Sequence, residues 1–265
     1  SLWVVVSEQA ADVFDRLTEW SDVPVFLADD MPDELNRVHF EQWKSGLCDK
    51  LQKNLNALKS ASEPVSIKNT EIIDRNAFKE LWVLAASLGG PEAVREFLAN
   101  IHPDLPVAFV YAQHIEDNFD KLLPGVVGKK SRFKVSYGTD GDVLKRGNVV
   151  VYPSHAFTQL DSRGRVHVMP DKTWSKPFTP NINQVIENIG DHYQQKMGVI
   201  MFSGTCDDGA SASIALHSKG VTIWAQTPEE CICSAMPEAV ISKNAVKFKG
   251  TALELARQLN NRHGK

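Results

Sequence analysis

The sequence predicts a doubly wound α/β fold, with a mostly parallel sheet, flanking helices and a β-hairpin. Two observations support this prediction. From residue 81 onward, short apolar runs alternate with helical patterns, as expected for strands joined by crossover helices. The helical patterns are also bounded as helices usually are, with Pro91 at a first turn and Gly220 just beyond a helix end.

The predicted strands are Leu81–Ala86, Val107–Ala112, Phe133–Val135, Asn148–Tyr152, Gly198–Phe202 and Val221–Ala225. The predicted helices are Pro91–Ala99, Asn118–Leu123, Asn181–Gln194, Ala210–Lys219, Ala235–Ser242 and Leu253–Asn260. Turn residues between alternating runs place the hairpin within Gly138–Asn148 or Gln159–Val168.

The first 58 residues are predicted to form a separate unit, followed by a linker over residues 59–76 and the main domain over residues 77–265. The unit has two apolar runs and two helical patterns, at Leu2–Val6, Gln9–Trp20, Val23–Leu27 and Asp33–Leu58. These elements make a thin core by themselves. We therefore expect the unit either to dock on the main domain or to be the remnant of a longer domain.

Composition excludes several classes of function. The 29 basic and 33 acidic residues give a net charge of −4 with no block of like charge, so no nucleic-acid partner is expected. The four cysteines lack the spacing of a zinc site, and no apolar run approaches the ~20 residues that cross a bilayer. We expect a cytoplasmic protein without a signal peptide, membrane insertion, metal or cofactor.

Polar residues follow three of the predicted strands. Ser87 ends the first strand and precedes a Gly-Gly turn into a helix, which would expose its hydroxyl at the carboxyl edge of the sheet. His114 follows the second strand, where an imidazole could act as a general base. Asp207 and Asp208 follow the Gly198–Phe202 strand, and one carboxylate suffices to orient a histidine.

Each of these residues also has a purely structural interpretation. The Gly-Gly turn is often just a tight connection, a lone histidine is often satisfied by loop carbonyls, and an Asp-Gly pair often caps a helix. Two other chemistries use the same residues: Glu116 and Asp117 with His114 and the aspartates could hold a metal, or Cys206 could be a thiol nucleophile. A phosphate-binding role for the Gly-Gly turn lacks a Walker lysine. The coincidence of serine, histidine and aspartate at three strand ends favours a serine hydrolase.

Residues 82–259 resemble the catalytic domain of CheB-type protein-glutamate methylesterases. The resemblance is carried, in order, by AASLGGPEAV, AQHIEDNF, VVVYPSHAF, SGTCDDGA and SAMPEAVI. It implies that the chain demethylates glutamate methyl esters on chemoreceptors, releases methanol and also deamidates receptor glutamines. The implied site residues are Ser87 as nucleophile, His114 as base, Asp208 as orienting acid, the backbone N–H groups of Leu88 and Thr205 as oxyanion hole, and Met236 with Pro237 as walls that bind substrate.

The chain departs from the family pattern at several positions. Leu88 replaces the usual threonine, Thr205 replaces a methionine, and Asn183 stands where the family has an aspartate. An arginine of the same family motif is missing at Thr179. Backbone donors survive these changes, but we expect substrate docking to differ.

In typical family members a phosphorylatable receiver domain precedes the esterase. Residues 1–58 match the middle of a receiver, but Ser7 stands where the acceptor aspartate is expected. We therefore predict a shortened, degenerate receiver that is not switched by an aspartyl phosphate, as in variants from chemosensory systems of pilus-based surface motility.

The partners implied by the resemblance are the cytoplasmic helices of methylated chemoreceptors, and a chemosensory histidine kinase or adaptor. Two alternatives remain open from the sequence. The altered Leu88, Thr205 and Asn183 are compatible with a regulatory binding module that has lost most turnover. A small-molecule esterase on a related scaffold is the other, although no lid or acyl pocket is evident.

Overall fold

The structure is a computed structural model, and it describes residues 3–6, 25–28, 77–116 and 119–265. The chain divides into two compact units, Ser1–Ile72 and Ile73–Lys265. In the first unit, two strands pair in parallel, with Trp3 opposite Val25. Ser7 and the predicted helices of this unit lie outside the described residues, so the degenerate receiver stays a prediction.

The strands are β1 (Trp3–Val6), β2 (Val25–Ala28), β3 (Glu80–Ala86), β4 (Val107–Gln113), β5 (Lys134–Tyr137), β6 (Asn148–Val151), β7 (Phe157–Leu160), β8 (Val166–Met169), β9 (Met197–Met201), β10 (Thr222–Gln226) and β11 (Phe248–Gly250). The α-helices are α1 (Gly90–Ala99), α2 (Leu123–Val127), α3 (Ile182–Tyr193), α4 (Ala210–Ser218), α5 (Ala235–Ile241) and α6 (Ala252–Arg262). Short 3₁₀ turns cover Asp120–Leu122, Gln194–Lys196 and Pro228–Glu230.

The second unit is built on a seven-stranded sheet in the order β11-β10-β9-β3-β4-β6-β5. All of its neighbouring strands run parallel, which confirms the predicted fold class. From β3 the chain builds the sheet outward through β4 and then returns to add β9 on the other side. The order therefore reverses between β3 and β9, and open α/β sheets bind ligands at the carboxyl ends of strands at such a point.

Alternate residues of β3 point into two separate cores. Leu81, Val83 and Ala85 pack with residues of α3, α4 and α5 on one face. Trp82 and Leu84 pack with residues of α1, α2 and α6 on the other. Both faces of this central strand are buried, as in doubly wound folds, so the strand is a rigid base for the residue that follows it.

Two predicted elements differ in their bounds, the predicted hairpin is confirmed, and one strand was missed. In the predicted helix Asn118–Leu123, Asn118 lies outside the described residues, Asp120–Leu122 form a 3₁₀ turn and Leu123 begins α2, because Pro124 favours a helix start there. The antiparallel hairpin is β7 with β8 and forms in the Gln159–Val168 region, while Gly138–Asn148 contributes an isolated bridge from Val143. The predicted strand Phe133–Val135 corresponds to β5, which begins one residue later and ends two residues later. Strand β11 was not predicted, because three residues carry little periodicity.

None of the helices among the described residues combines the length and the apolar character needed to cross a bilayer.

Candidate active site

A tight turn after β3 places Ser87 at the point where the strand order reverses. Gly89 adopts a left-handed conformation with φ of +83° just before α1 begins. A side chain there would also collide with Ser203 and Ile232, since a Cβ atom would lie 2.6 Å from Ser203 Oγ and 2.7 Å from Ile232 Cβ. Glycine is therefore required for this turn, which leaves the side chain of Ser87 at the carboxyl edge of the sheet.

The loop after β9 lies against this turn. The Ser87 N–H donates to Ser203 O at 3.0 Å, and Ser87 Oγ lies 3.5 Å from Thr205 Oγ1. A Cβ atom on Gly204 would approach Ser87 Cβ to 2.9 Å and Met236 Sδ to 2.0 Å. The close contact of the two loops thus depends on a glycine at position 204 and brings Ser87 beside the loop that holds Asp208.

His114 follows β4 and makes a short hydrogen bond with Asp208. The distance from His114 Nε2 to Asp208 Oδ2 is 2.8 Å, and the two side chains are 11% and 1% exposed. The His114 ring stacks on Phe178, with centroids 4.9 Å apart and planes inclined by 8°. Phe178 and Asp208 together hold the imidazole in one orientation.

Asp208 is buried and accepts further hydrogen bonds from the start of α3. Its Oδ2 accepts from the N–H of Ile182 at 2.7 Å. Its Oδ1 accepts from the N–H and the side-chain amide of Asn183, at 3.1 and 2.8 Å. The Oδ1 atom of Asn183 accepts in turn from the N–H of Ala212 at 3.0 Å. Asp207, by contrast, is exposed. Asp208 is therefore the carboxylate that contacts the imidazole.

The pKa of His114 follows from these neighbours. Burial by itself would lower this pKa, but the hydrogen bonds with Asp208 and Cys206 outweigh burial and raise the pKa to about 9. The contact with Cys206 is on the other side of the ring, where Cys206 Sγ lies 3.5 Å from Nδ1. Within the described part of the chain, no hydrogen bond joins Ser87 to His114.

Backbone donors are available around Ser87. In the described residues, the N–H groups of Leu88 and Thr205 have no hydrogen-bond acceptor within the protein, whereas the N–H of Ser87 is engaged. Free N–H groups beside a nucleophile can stabilise an oxyanion. The Met236 side chain is fully buried and Pro237 is buried too, so both lie behind the site surface.

Sequence reasoning missed Gln113 and Phe178 and assigned no supporting role to Asn183. Gln113 is buried, and its amide donates to the carbonyl oxygens of Ser87 at 2.8 Å and His114 at 2.9 Å. The hydroxyl of Tyr111 donates to Gln113 Oε1 at 2.6 Å. A glutamine that ends a fully apolar strand was the available signal for such a role, since a buried polar side chain needs partners.

The described residues hold no group of histidine, cysteine, aspartate and glutamate side chains that could bind a metal.

Comparison with known proteins assigns the second unit. Residues 82–259 match the family model described as CheB methylesterase. The chain belongs to the CheB methylesterase family. A protein-glutamate methylesterase/protein-glutamine glutaminase from Saccharophagus degradans is 31% identical over 161 residues, which are 61% of this chain and 44% of that protein.

Two further comparisons agree with this assignment. A protein of the same type from Idiomarina loihiensis is 25% identical and covers 80% of this chain and 57% of its own length. The chain thus spans about half the length of the relatives it matches. The crystal structure of the Thermotoga maritima CheB methylesterase catalytic domain has a TM-score of 0.65 at 23% identity, covering 69% of this chain and 98% of that one. This structural likeness supports the fold.

Proposed function

We propose that this chain is a serine hydrolase that removes methyl esters from glutamate side chains of chemoreceptors, with Ser87, His114 and Asp208 as its catalytic residues. The observation that carries the proposal is the hydrogen bond between His114 Nε2 and the buried Asp208. His114 follows β4, and Ser87 follows the neighbouring strand β3. A buried carboxylate that orients a histidine beside a serine is the arrangement of a catalytic triad.

The hydrogen bond with Asp208 supports a distinct role for each ring nitrogen of His114. Because Nε2–H donates to Asp208, Nδ1 of the neutral ring is the atom that accepts a proton from Ser87. For this step Ser87 Oγ exchanges its contact with Thr205 for one with Nδ1. Catalytic hydrogen bonds are often long before substrate binds, so the separation in this structure is compatible with the role.

The reaction proceeds in two acyl-transfer steps. Ser87 Oγ attacks the side-chain ester carbonyl carbon while its proton moves to Nδ1, and the N–H groups of Leu88 and Thr205 hold the oxyanion. The C–O bond to the methoxy group then breaks, and His114 returns the proton to release methanol. Water, deprotonated by the same imidazole, hydrolyses the acyl-enzyme to a free carboxylate. A glutamine amide follows the same path with ammonia as the leaving group.

The proposed partner is a helix of a methylated chemoreceptor. Two apolar side chains are exposed beside Ser87: Leu88 is 55% exposed and Ile232 is 71% exposed. The same edge also has a cavity of about 410 Å³, and its lining includes Glu116, two positions after His114, and Lys176. An apolar rim beside a polar cavity suits an amphipathic helix that presents one modified glutamate. A kinase or adaptor that recruits the chain is a further proposal.

The test is methanol release from a methylated chemoreceptor cytoplasmic fragment. We expect Ser87→Ala to reduce the rate by about 10³- to 10⁶-fold with the fold retained. Ser218→Ala removes an exposed hydroxyl at the end of α4 and serves as the matched control, with an unchanged rate. Equal rates for Ser87→Ala and wild type would refute the assignment of the nucleophile.

One observation favours a second candidate, a regulatory module with little turnover. The atom of His114 that should accept the serine proton faces Cys206 instead. If the wild-type chain binds the methylated fragment but releases methanol no faster than buffer, this second function replaces the first.

A further inference from the structure

Cys206 contacts the imidazole that we assign as the general base. Its Sγ lies 3.5 Å from His114 Nδ1, while Nε2 on the other side of the ring lies 2.8 Å from Asp208. The three side chains form a continuous hydrogen-bonded array of cysteine, histidine and buried aspartate. Cys206 is partly exposed, so small molecules in solvent can reach it.

This array is suited to activating a thiol. With Nε2–H committed to Asp208, Nδ1 of the neutral ring is an acceptor, and the thiol of Cys206 donates to it. Transfer of that proton gives a thiolate beside an imidazolium, which Asp208 stabilises. The thiolate is the reactive form of cysteine, and neighbouring histidine is one of the settings that favour it. Although burial lowers the pKa of His114, its two hydrogen bonds raise it to about 9, which agrees with a proton held on the ring.

Cys231 provides a contrast within the same chain. Its thiol donates to the carbonyl oxygen of Thr227 at 3.4 Å rather than to a base. Burial, together with Cys233 and nearby glutamates, raises the pKa of Cys231 to about 11. Cys231 is therefore an internal control for a partly exposed thiol without activation.

We propose that Cys206 is a modification site at which a peroxide oxidises the thiol and thereby switches the esterase off. The claim rests on the proposed roles of Ser87 and His114. The oxidised side chain occupies Nδ1 of His114 and the space beside Thr205, where Ser87 must move to transfer its proton. The switch thus acts on the base that the reaction needs.

The oxidation step needs only hydrogen peroxide, the Cys206 thiolate and the His114 imidazolium. The thiolate sulfur attacks one oxygen of hydrogen peroxide, an S–O bond forms and the O–O bond breaks. Sulfur is oxidised to sulfenic acid and the peroxide is reduced. The departing hydroxide takes the imidazolium proton and leaves as water. An added thiol reverses the change through a mixed disulfide.

The test uses the full chain with hydrogen peroxide and two separate readouts. A sulfenic-acid trap such as dimedone, followed by peptide mass spectrometry, measures the rate of oxidation at Cys206 and at Cys231. Methanol release from a methylated receptor fragment measures activity in parallel samples, with dithiothreitol added afterwards to test reversal. The Cys206→Ala and Cys206→Ser variants are each compared with their own untreated rate, and His114→Gln tests thiol activation.

We expect trapping at Cys206 to be faster than at Cys231 and slower in His114→Gln. Methanol release should fall by at least about 100-fold at full oxidation, as expected when a general base is blocked, and should recover with dithiothreitol. The Cys206 variants should keep their own untreated rates. Trapping at Cys231 before Cys206, equal trapping without His114, or full oxidation of Cys206 with unchanged activity would each overturn the proposal. Wild type that releases no methanol before treatment refutes the proposed function instead, and the trapping rates then still decide whether Cys206 is activated.

Discussion

Asp208 and Asp120 are both buried near the carboxyl edge of the same sheet, but they accept hydrogen bonds from different kinds of donor. Asp208 is 2% exposed and Asp120 is 1% exposed. Asp208 accepts from Ile182, Asn183 and His114. Asp120 accepts from other groups, in the 3₁₀ turn after β4: the N–H and Oγ of Ser154, the hydroxyl of Tyr137 and the N–H of Lys121, at 2.8 to 2.9 Å.

The difference between the two lies in what their donors can do. The donors around Asp120 are two hydroxyls and two backbone N–H groups, and they come from β5, from the loop after β6 and from the 3₁₀ turn, so this carboxylate links these three segments. Burial raises the pKa of Asp120, but these hydrogen bonds outweigh burial and lower it. One of the donors to Asp208 is an imidazole, which can exchange a proton with a substrate. Burial and hydrogen-bond number therefore do not distinguish these two carboxylates, whereas the imidazole partner, which only Asp208 of the two has, does.

The largest predicted effect is at the imidazole itself. We expect His114→Gln and Ser87→Ala each to reduce methanol release by about 10³- to 10⁶-fold, and the double variant to be no slower than the slower single one. Residues that act as one unit lose their effect together. A double variant slowed by the product of the two single effects would show that the two side chains act independently.

The two carboxylates should respond differently to the same substitution. Asp208→Asn should reduce the rate by about 10⁴-fold with the fold retained, since the histidine loses its orienting anion. Asp120→Asn should keep the rate within a few-fold but lower the free energy of unfolding by about 1–3 kcal/mol, because buried donors lose a charged acceptor. Denaturant unfolding and methanol release of both variants measure this. A large rate loss in Asp120→Asn would remove the distinction between the clusters.

Asn183 should act through Asp208. Asn183→Leu removes the side-chain amide that donates to Asp208 Oδ1, and we expect a rate loss of about 10- to 100-fold, since a hydrogen bond to a charged group contributes ~1.5–3 kcal/mol. Asn261→Leu, at an exposed position of α6, is the matched control. An Asn183→Leu variant that loses stability but keeps the wild-type kcat would make this residue structural, like the donors around Asp120.

The smallest expected effects are in the pH dependence, which should differ between the rate, set by His114, and the stability, set in part by Asp120. A base must be unprotonated, so methanol release should rise with pH and level off above about 9, the pKa of His114. In Cys206→Ala this rise should move to lower pH, because one of the hydrogen bonds that raise the pKa is gone. Asp120 has a lowered pKa, so its contribution to stability is present above about pH 4 and is lost as pH falls further. A rate profile that Cys206→Ala leaves unchanged would contradict this account of the imidazole.

The sequence predicted the sheet well because each central strand is a continuous apolar run, and a parallel sheet buries such runs on both faces. Ser87 and His114 were singled out for the same reason, since each stands just after such a run. Asp207 and Asp208 lie in the loop after another run, and the choice of Asp208 came from the family resemblance. The catalytic roles of the three residues stay a prediction. The contacts of Asp208 with Asn183 and of Ser87 with Gln113 span 25 and 26 residues and depend on how loops pack, which periodicity does not report. The Asp120 cluster was missed likewise, because Tyr137 and Ser154 reach it from β5 and from the loop after β6.

The most direct test of the central claim is phosphonylation by a fluorophosphonate, in which a serine Oγ–P bond forms and fluoride leaves. Only an activated serine reacts rapidly, and activation of Ser87 requires the pair formed by His114 and Asp208. Peptide mass spectrometry should locate one adduct on Ser87 in the wild type and in Asp120→Asn, and none in His114→Gln. An unlabelled wild type, or a Ser87 adduct that forms equally fast without His114, would contradict the account.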